Sequence, residues 1–164
     1  MKKIFILFFI FFSVDVSTQE CSEFFLIRHA EKDRTNSENN NPKLNELGKE
    51  RSLKWSEVFK NIELDKIYST NYYRTIETAT PISKKLNLDI TLYSPSKINY
   101  KNFISKNIGN KVLVVGHSNT IPGFVNSLIN EKVYDQINDL NNSNLYIVTI
   151  CNGCLLYTSD AADD

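Results

Sequence analysis

The chain has 164 residues, of which 41% are hydrophobic, and this size and composition fit one domain with a substantial apolar core. Its 19 basic and 19 acidic residues cancel, and no basic stripe runs along the sequence, so nucleic-acid binding is not expected. No repeat or linker divides the chain. We therefore predict a single domain between two terminal segments of different character.

Residues 1–19 have the pattern of a signal peptide. Lys2 and Lys3 precede an uninterrupted apolar run from Ile4 to Phe12, and small and polar residues follow. The run is shorter than the roughly 20 residues that a membrane span needs. We therefore expect a bacterial protein that is exported to the periplasm or secreted, with no stable membrane insertion after signal removal. Two alternatives remain, a buried first element and a lipoprotein anchor at Cys21, although the residues before Cys21 match a lipoprotein signal poorly.

Residues 154–164, CLLYTSDAADD, resemble the translation of a transposon-derived sequencing adapter. If the segment is read-through, it has no function, and the natural domain, predicted to span residues 20–153, is truncated near its end. Setting the segment aside also removes the C-x-x-C pattern of Cys151 and Cys154, which would otherwise suggest a redox or metal site.

Between these ends, short apolar runs alternate with stretches of helical periodicity, which indicates βαβ units. Strands are predicted at residues 24–27, 66–68, 90–93 and 111–115, the first and the last of them buried. An alternating segment at residues 144–150 is predicted to be an antiparallel strand at or near a sheet edge. Helices are predicted at residues 45–59, 69–86, 100–108 and 122–129, the first with Leu47, Leu53, Trp55, Val58 and Phe59 on one buried face.

The chain contains two histidines, and each follows a predicted buried strand. His29 ends the run FFLIRH, and His117 ends the run KVLVVGH. Histidine has an ordinary pKa of roughly 6.5, which suits nucleophilic and acid–base roles near neutral pH. Ligands bind beyond the carboxyl ends of parallel strands, so we predict both histidines in one crevice. The polar, Asn-rich loop Ala30–Lys43 is predicted to be mobile above it.

Three segments carry a specific resemblance: FFLIRHAEK at 24–32, YSTNYYRTIETA at 68–79 and VLVVGHSNT at 112–120. Together, and in this order, they resemble the histidine phosphatase superfamily, also called phosphoglycerate mutase-like, over about residues 23–150. The chain is similar to the small single-domain phosphatases of that superfamily. The resemblance implies an α/β fold, a three-layer α/β/α sandwich whose sheet is mostly parallel with one antiparallel strand.

The resemblance also implies the catalytic roles. His29 is the nucleophile that becomes phosphohistidine, Arg28 and Arg74 clamp the phosphate, and His117 is the second histidine of the pocket. Guanidinium groups suit the clamp because they bind phosphate in a bidentate manner. Nearby arginines are expected to lower the pKa of His29 and keep it neutral. Taken singly, each residue also has a structural interpretation, as an ion pair, a solvated charge or a core histidine.

The residues after His117 are predicted to complete substrate binding. Ser118, Asn119 and Thr120 are expected to present backbone N–H groups at a helix N-terminus, which attracts anions. No metal or cofactor is expected, because a two-histidine site lacks the third ligand of a catalytic zinc. The expected substrate is a phosphorylated small molecule or a phosphoprotein.

The sequence departs from the family pattern at three places. Ala30 stands where R-H-G has its glycine. Asn45 replaces the threonine of L-T-x-x-G but keeps the capacity to cap a helix. Residues 90–130 contain no Asp or Glu, although many members carry an acid there that protonates the leaving oxygen. Because general acid catalysis is typically worth about 10²- to 10⁴-fold, mutase activity is not expected.

We therefore predict a metal-independent histidine phosphatase acting on phosphomonoesters or other phosphorylated substrates through a phosphohistidine. The alternative is a noncatalytic phosphate- or phosphoprotein-binding module of the same fold. Glu31 is the nearest candidate acid, with an ion pair to Lys32 or Arg28 as its structural alternative. Glu77, three residues after Arg74, is predicted to form a structural or surface pair.

Cys21 and Cys151 are the two cysteines outside the adapter-like tail. In the fold that the resemblance implies, the strand after Cys21 and the strand before Cys151 are antiparallel neighbours, so the start of one lies beside the end of the other. The two cysteines are therefore expected to approach disulfide distance, and export would let the bond form. Two unpaired thiols remain the alternative.

Overall fold

A computed structural model of the chain describes residues 20–151, and residues 154–161 at the level of the backbone. The predicted signal peptide, residues 1–19, lies outside the described residues. Within them, six strands form one sheet in the order β3-β2-β4-β1-β5-β6. The strands are β1 (Cys21–Arg28), β2 (Lys66–Thr70), β3 (Ile90–Tyr93), β4 (Lys111–Gly116), β5 (Leu145–Cys151) and β6 (Cys154–Ala161).

The relative directions of the strands confirm the predicted topology. Strands β1, β2, β3 and β4 are parallel, and β5 pairs with β1 in the antiparallel sense. The strand β6 pairs antiparallel with β5 and so runs in the direction of β1. Its residues belong to the segment interpreted as adapter-derived, which stays a prediction, and residues 162–164 lie outside the described part of the chain.

The helices are α1 (Glu46–Phe59), α2 (Tyr73–Leu86), α3 (Tyr100–Ser105) and α4 (Ile121–Ile129). Two boundaries differ from the prediction, because β2 continues to Thr70 and delays α2, and α3 ends at Ser105 rather than near residue 108. These helices are 6 to 14 residues long, and in the described part of the chain none has the length and apolarity to cross a bilayer.

Alternation along the central strands creates two hydrophobic cores. Phe24 and Leu26 of β1 pack in the core beneath α3 and α4, whereas Phe25 and Ile27 pack in the core beneath α1 and α2. Successive side chains of a strand point to opposite faces, so a run of apolar residues fills both layers. The result is the predicted three-layer α/β/α sandwich.

The buried face of α1 differs from the prediction. Trp55 and Phe59 are buried, but Leu47, Leu53 and Val58 are about half exposed. The rest of the buried face is made of small residues, Gly48, Ser52 and Ser56. A Cβ added to Gly48 would lie 2.1 Å from the carbonyl oxygen of Glu31, so only glycine permits this close approach. The serine hydroxyls donate to carbonyl oxygens of their own helix, which makes their burial inexpensive.

The N-cap of α1 is as predicted. The side chain of Asn45 accepts a hydrogen bond from the N–H of Gly48 at 2.8 Å, which satisfies one of the free donors of the first helical turn. The substitution of asparagine for threonine at this position therefore preserves the cap.

The predicted disulfide is confirmed. Cys21 and Cys151 are directly opposite each other in the β1–β5 register, their Cα atoms are 4.0 Å apart, and their sulfur atoms are bonded. The bond lies where β1 begins, at the opposite end of that strand from Arg28 and His29. It therefore fastens the domain without touching the histidine end of the sheet.

Candidate active site

A cleft of about 690 Å³ lies at the carboxyl ends of β1, β2, β3 and β4. It receives residues from the end of each of these strands and from the segment between α4 and β5. The lining residues whose side chains or backbone can bind a ligand or take part in a reaction are Arg28, His29, Lys32, Thr70, Tyr72, Arg74, Tyr93, His117, Ser118, Asn119 and Asp139. The structure thus brings together the residues predicted for the phosphate site, with the exception of Glu31.

His29 follows the last residue of β1 and is 4% exposed. Its Nδ1 atom lies 2.7 Å from the carbonyl oxygen of Ala30. Because a carbonyl only accepts, Nδ1 carries the proton in the neutral ring, and Nε2 keeps the lone pair that a nucleophile needs. The N–H of Ala30 in turn donates to the hydroxyl of Thr78 at 2.9 Å, which fixes this peptide unit.

The pKa of His29 is lowered to about 3. Burial is the largest cause, and the charges of Arg28 and Arg74 add to it, as does His117. The pKa of His29 is therefore shifted in the predicted direction. The arginine charges, which were the predicted cause, are secondary, because desolvation of the imidazolium has the larger effect. Nε2 is consequently unprotonated throughout the physiological pH range.

His117 faces His29, with ring centroids 5.4 Å apart. Its Nε2 atom lies 2.9 Å from the hydroxyl of Thr70, and that hydroxyl donates to Thr75 at 3.0 Å. Since a hydroxyl has one proton, Thr70 accepts from His117, and Nε2 is the protonated nitrogen. Burial, with smaller contributions from Arg74 and Arg28, lowers the pKa of His117 to about 4, so its ring is neutral.

Arg28 ends β1 and is 1% exposed. Its Nη1 donates to the carbonyl oxygens of Asn138 and Asn141, at 2.9 and 2.8 Å. Its Nη2 pairs with a carboxylate oxygen of Asp139 at 2.6 Å. The Nε atom is buried and has no partner among the described residues. The guanidinium is thus fixed on one side and keeps an unused donor on the other.

Arg74 lies in the first turn of α2, and its guanidinium carbon is 4.5 Å from the ring centroid of Tyr72. Its Nε and Nη1 atoms are buried without partners in the described part of the protein. Burial, together with the charge of Arg28, lowers the pKa of Arg74. The stacked ring holds the guanidinium plane in place while two of its nitrogens remain available.

The residues after His117 only partly match the predicted anion site. Ser118 and Asn119 line the cleft, and in the described residues their backbone N–H groups have no hydrogen-bond partner. The N–H of Thr120 donates to the carbonyl oxygen of His117 at 3.1 Å, so it is not available to a ligand. Its hydroxyl accepts from the N–H of His117 at 3.0 Å, which fixes this turn before α4.

The prediction of Glu31 as the acid is corrected by the structure. Its carboxylate pairs with Arg51 of α1 at 2.7 Å, and it is not among the cleft-lining residues. The carbonyl oxygen of Glu31 accepts from the N–H of Asn45 at 3.0 Å, so the backbone here turns toward α1 and carries the side chain away from the cleft. Glu77 accepts from the N–H of Leu44 at 2.8 Å, a structural contact as predicted.

Asp139 is a cleft residue that sequence reasoning missed. One carboxylate oxygen contacts Arg28 and the other contacts Arg34 at 2.7 Å. Burial alone would raise the pKa of Asp139, but hydrogen bonds from Arg34 and Arg28 hold it below its usual range. The residue lies in a polar segment between α4 and β5 that has neither strand nor helix periodicity, so no sequence pattern indicates its role.

Asn142 of the same segment also contributes to the site. Its side-chain amide donates to the carbonyl oxygen of His29 at 2.7 Å, and the residue is buried. The segment between α4 and β5 therefore holds both residues of the Arg28–His29 pair. Residues 20–151 contain no cluster of three or more His, Cys, Asp or Glu side chains arranged to hold a metal ion.

Residues 24–94 match the family model of the histidine phosphatase superfamily, branch 1. No curated relative matches the sequence at a significant level.

Several solved structures share the fold at low sequence identity. The protein histidine phosphatase SixA, in complex with tungstate, is 15% identical with a TM-score of 0.67, and the alignment covers 85% of this chain and 96% of that one. A phosphoserine phosphatase mutant from Entamoeba histolytica, in complex with phosphoserine, is 15% identical with a TM-score of 0.64 and the same coverage, 85% and 96%. A mycobacterial glucosyl-3-phosphoglycerate phosphatase is 10% identical with a TM-score of 0.63, covering 87% and 98%.

These structures establish the shared fold, and the family model covers the strand and helix that carry Arg28, His29 and Arg74. The match and the fold together support phosphatase activity in general terms. Residues 24–94 therefore match the histidine phosphatase superfamily, and the overall fold is the histidine phosphatase fold.

Proposed function

We propose that the protein is a phosphatase that transfers the phosphoryl group of a phosphomonoester, or of another phosphorylated substrate, first to His29 and then to water. The match of residues 24–94 to the family model supports a phosphatase in general. The finer assignment rests on the geometry of the cleft, which supplies a nucleophile and two cations beside it.

The observation that carries this proposal is a set of three unpartnered guanidinium nitrogens. Nε of Arg28, and Nε and Nη1 of Arg74, are buried without a hydrogen-bond partner in the described structure. A buried donor without a partner costs about 1 to 3 kcal/mol, and more when it is charged. A phosphate group would satisfy all three, because its equatorial oxygens accept several charge-assisted hydrogen bonds at once.

The first step follows from the tautomer of His29. Nε2 attacks phosphorus, the bond from phosphorus to the leaving oxygen breaks, and that oxygen takes up a proton. The phosphorylated ring becomes cationic, and the carbonyl of Ala30 on Nδ1–H stabilises that charge. In the second step a water oxygen attacks phosphorus, the phosphorus–nitrogen bond breaks, and the water gives up a proton.

Charge stabilisation in both steps is assigned to Arg28, Arg74 and the backbone N–H groups of Ser118 and Asn119. Cationic side chains can neutralise the equatorial oxygens, so we propose that the reaction needs no metal. One protein of the same fold was solved with tungstate and another with phosphoserine, which supports an oxyanion or a phosphomonoester as the class of ligand here.

We also propose that the protein works after export. The disulfide between Cys21 and Cys151 supports this, because such bonds form and persist in oxidising compartments.

Turnover of p-nitrophenyl phosphate in the presence of EDTA tests the proposed function. We expect metal-independent hydrolysis that is lost in His29→Ala, with the variant still folded by circular dichroism and still binding phosphate. Phosphate binding without any turnover in the wild type would contradict the proposal and favour a noncatalytic phosphate-binding module.

A further inference from the structure

The proposed reaction needs a proton donor for the leaving oxygen, and the described cleft residues leave few choices. Glu31 is paired with Arg51 outside the cleft. Asp139 is held ionised by two arginines. The hydroxyl of Tyr93 is buried, and burial raises its pKa, which makes it a weaker acid. His117 is neutral, and its Nε2 proton is directed to Thr70.

Besides Tyr72, whose ring packs against Arg74 and His117, Lys32 is the remaining described cleft residue whose side chain carries a proton that can dissociate. It lies three residues after His29 and lines the same cleft. Its backbone is held by an isolated β-bridge with Leu44, so its position is fixed although it belongs to a loop. In the described structure its ammonium group has no hydrogen bond or ion pair, unlike the guanidinium of Arg28 and the carboxylate of Asp139.

The charge of Lys32 acts on a residue of the site. It contributes to lowering the pKa of His117, which places the ammonium within electrostatic reach of the ring that faces His29. When His29 attacks phosphorus, the leaving group departs on the side of phosphorus that faces away from His29. An unpartnered ammonium group in the cleft can contact a bound substrate on that side.

Resting on the proposed function, we propose that Lys32 is the general acid of the first step and the general base of the second. It thereby replaces the carboxylic acid that the sequence lacks between residues 90 and 130.

The proton balance closes over the two steps. As the phosphorus–oxygen bond breaks, the ammonium of Lys32 gives one proton to the leaving oxygen and becomes a neutral amine. The amine then takes one proton from the water that attacks phosphohistidine, and the ammonium is restored. No further reactant is needed, and the products are the alcohol and inorganic phosphate.

The surroundings of Lys32 favour this role. Burial lowers its pKa, and the charges of Arg34, Arg74 and Arg28 lower it further, while Asp139 opposes them. A lysine pKa below the usual range makes the ammonium a stronger acid. The charged or titratable groups that face it are Arg28, Arg34, Arg74, His117 and Asp139.

The test compares Lys32→Arg and Lys32→Met across esters with different leaving groups. Arginine keeps the positive charge but holds its proton at every accessible pH, whereas methionine removes both. Lys43→Met is the matched control, because Lys43 lies on the same loop, is exposed and is not in the cleft. The substrates are p-nitrophenyl, phenyl and alkyl phosphate.

We expect both Lys32 variants to lose about 10²- to 10⁴-fold in kcat/KM for the alkyl ester and only a few-fold for p-nitrophenyl phosphate, since a good leaving group needs little protonation. The alkaline limb of the wild-type pH profile for the alkyl ester should also disappear in Lys32→Arg. Lys43→Met should match the wild type on all three esters.

Full activity of Lys32→Arg on the alkyl ester would overturn the proposal, because charge rather than proton transfer would then be the contribution. An equal loss on all three esters in both variants would overturn it as well. Either result leaves the phosphatase assignment standing, whereas a wild type that hydrolyses none of the esters would contradict the proposed function itself.

Discussion

Arg28 and Arg74 carry the same charge into the same cleft, but the protein holds them in different ways. Arg28 is almost fully buried at the end of a central strand and is bound by Asp139 and two backbone carbonyls. Arg74 stands on the first turn of a helix, stacked on Tyr72, with two nitrogens unpartnered. Arg28 therefore has a structural role as well as one free donor, whereas the guanidinium of Arg74 has two donors that no described residue uses.

The difference separates stability from binding. Removing Arg28 breaks hydrogen bonds that the folded protein uses, whereas removing Arg74 takes away donors that the folded protein does not use. The two arginines should therefore have similar effects on catalysis and different effects on the free energy of unfolding.

Substitution of the two arginines gives the largest expected effects. Arg74→Gln and Arg28→Gln should each lower kcat/KM by about 10²- to 10³-fold, as expected for loss of one transition-state donor. Arg28→Gln should also lower the free energy of unfolding by about 2 kcal/mol, because it strands two carbonyls and a carboxylate. Arg74→Gln should change stability by less than about 1 kcal/mol.

Steady-state kinetics and urea unfolding of both variants provide the measurements. Equal destabilisation by the two substitutions would show that the contrast between a structural and a ligand-directed arginine is wrong.

Asp139→Asn tests whether the fixed orientation of Arg28 matters for catalysis. The amide keeps a hydrogen-bond acceptor but loses the charge, so we expect a smaller loss, about tenfold in kcat/KM. Asp135→Asn is the matched control, since Asp135 is an exposed residue of the same segment and does not line the cleft. Wild-type kinetics in Asp139→Asn would argue that the two backbone carbonyls suffice to orient Arg28.

The pH dependence of stability tests whether both histidine rings are neutral in the folded protein. Both have a lowered pKa in the folded state, about 3 for His29 and about 4 for His117, so below pH 6.5 the unfolded chain binds more protons than the folded one. Stability should therefore decline as the pH falls from about 6.5 toward 4. His117→Asn should weaken that decline, as measured by urea unfolding at several pH values, and an unchanged slope would contradict the burial of a neutral ring.

Loss of the disulfide should have the smallest effect on catalysis. Cys21→Ser with Cys151→Ser removes a bond that closes almost the whole domain, which costs up to about 4 to 5 kcal/mol of stability in the chain-entropy model. The bond lies at the far end of β1, so kcat/KM at low temperature should stay within about twofold, because no cleft contact is lost. A large loss of activity in the folded double variant would indicate that the two ends of β1 are coupled.

The fold could be predicted because its signals are local. Four short apolar runs and their alternation with helices specify a parallel sheet, and the antiparallel β1–β5 pair brings Cys21 beside Cys151. The face of α1 was predicted wrongly, because Gly48, Ser52 and Ser56 pack by close approach rather than by hydrophobicity. Periodicity of apolar residues does not reveal such a face.

The site residues that could be predicted are those at or just after the end of a strand and those in the first turn of a helix. Arg28, His29, Arg74 and His117 reach one cleft because strand ends of a parallel sheet meet at one edge. Asp139 could not be predicted, since it lies in an irregular segment and reaches Arg28 only through the return of the chain to β5. Glu31 was misassigned because proximity in sequence to His29 says nothing about the direction of a side chain after the strand ends.

Trapping of the covalent intermediate tests the central claim most directly. The protein is mixed briefly with labelled phosphate ester, quenched in alkali and digested, and the label is located by peptide mapping. We predict an acid-labile, alkali-stable phosphoryl group on the peptide that contains His29, absent from His29→Ala. Turnover by the wild type without a label on His29, or equal labelling of His29→Ala, would contradict the account.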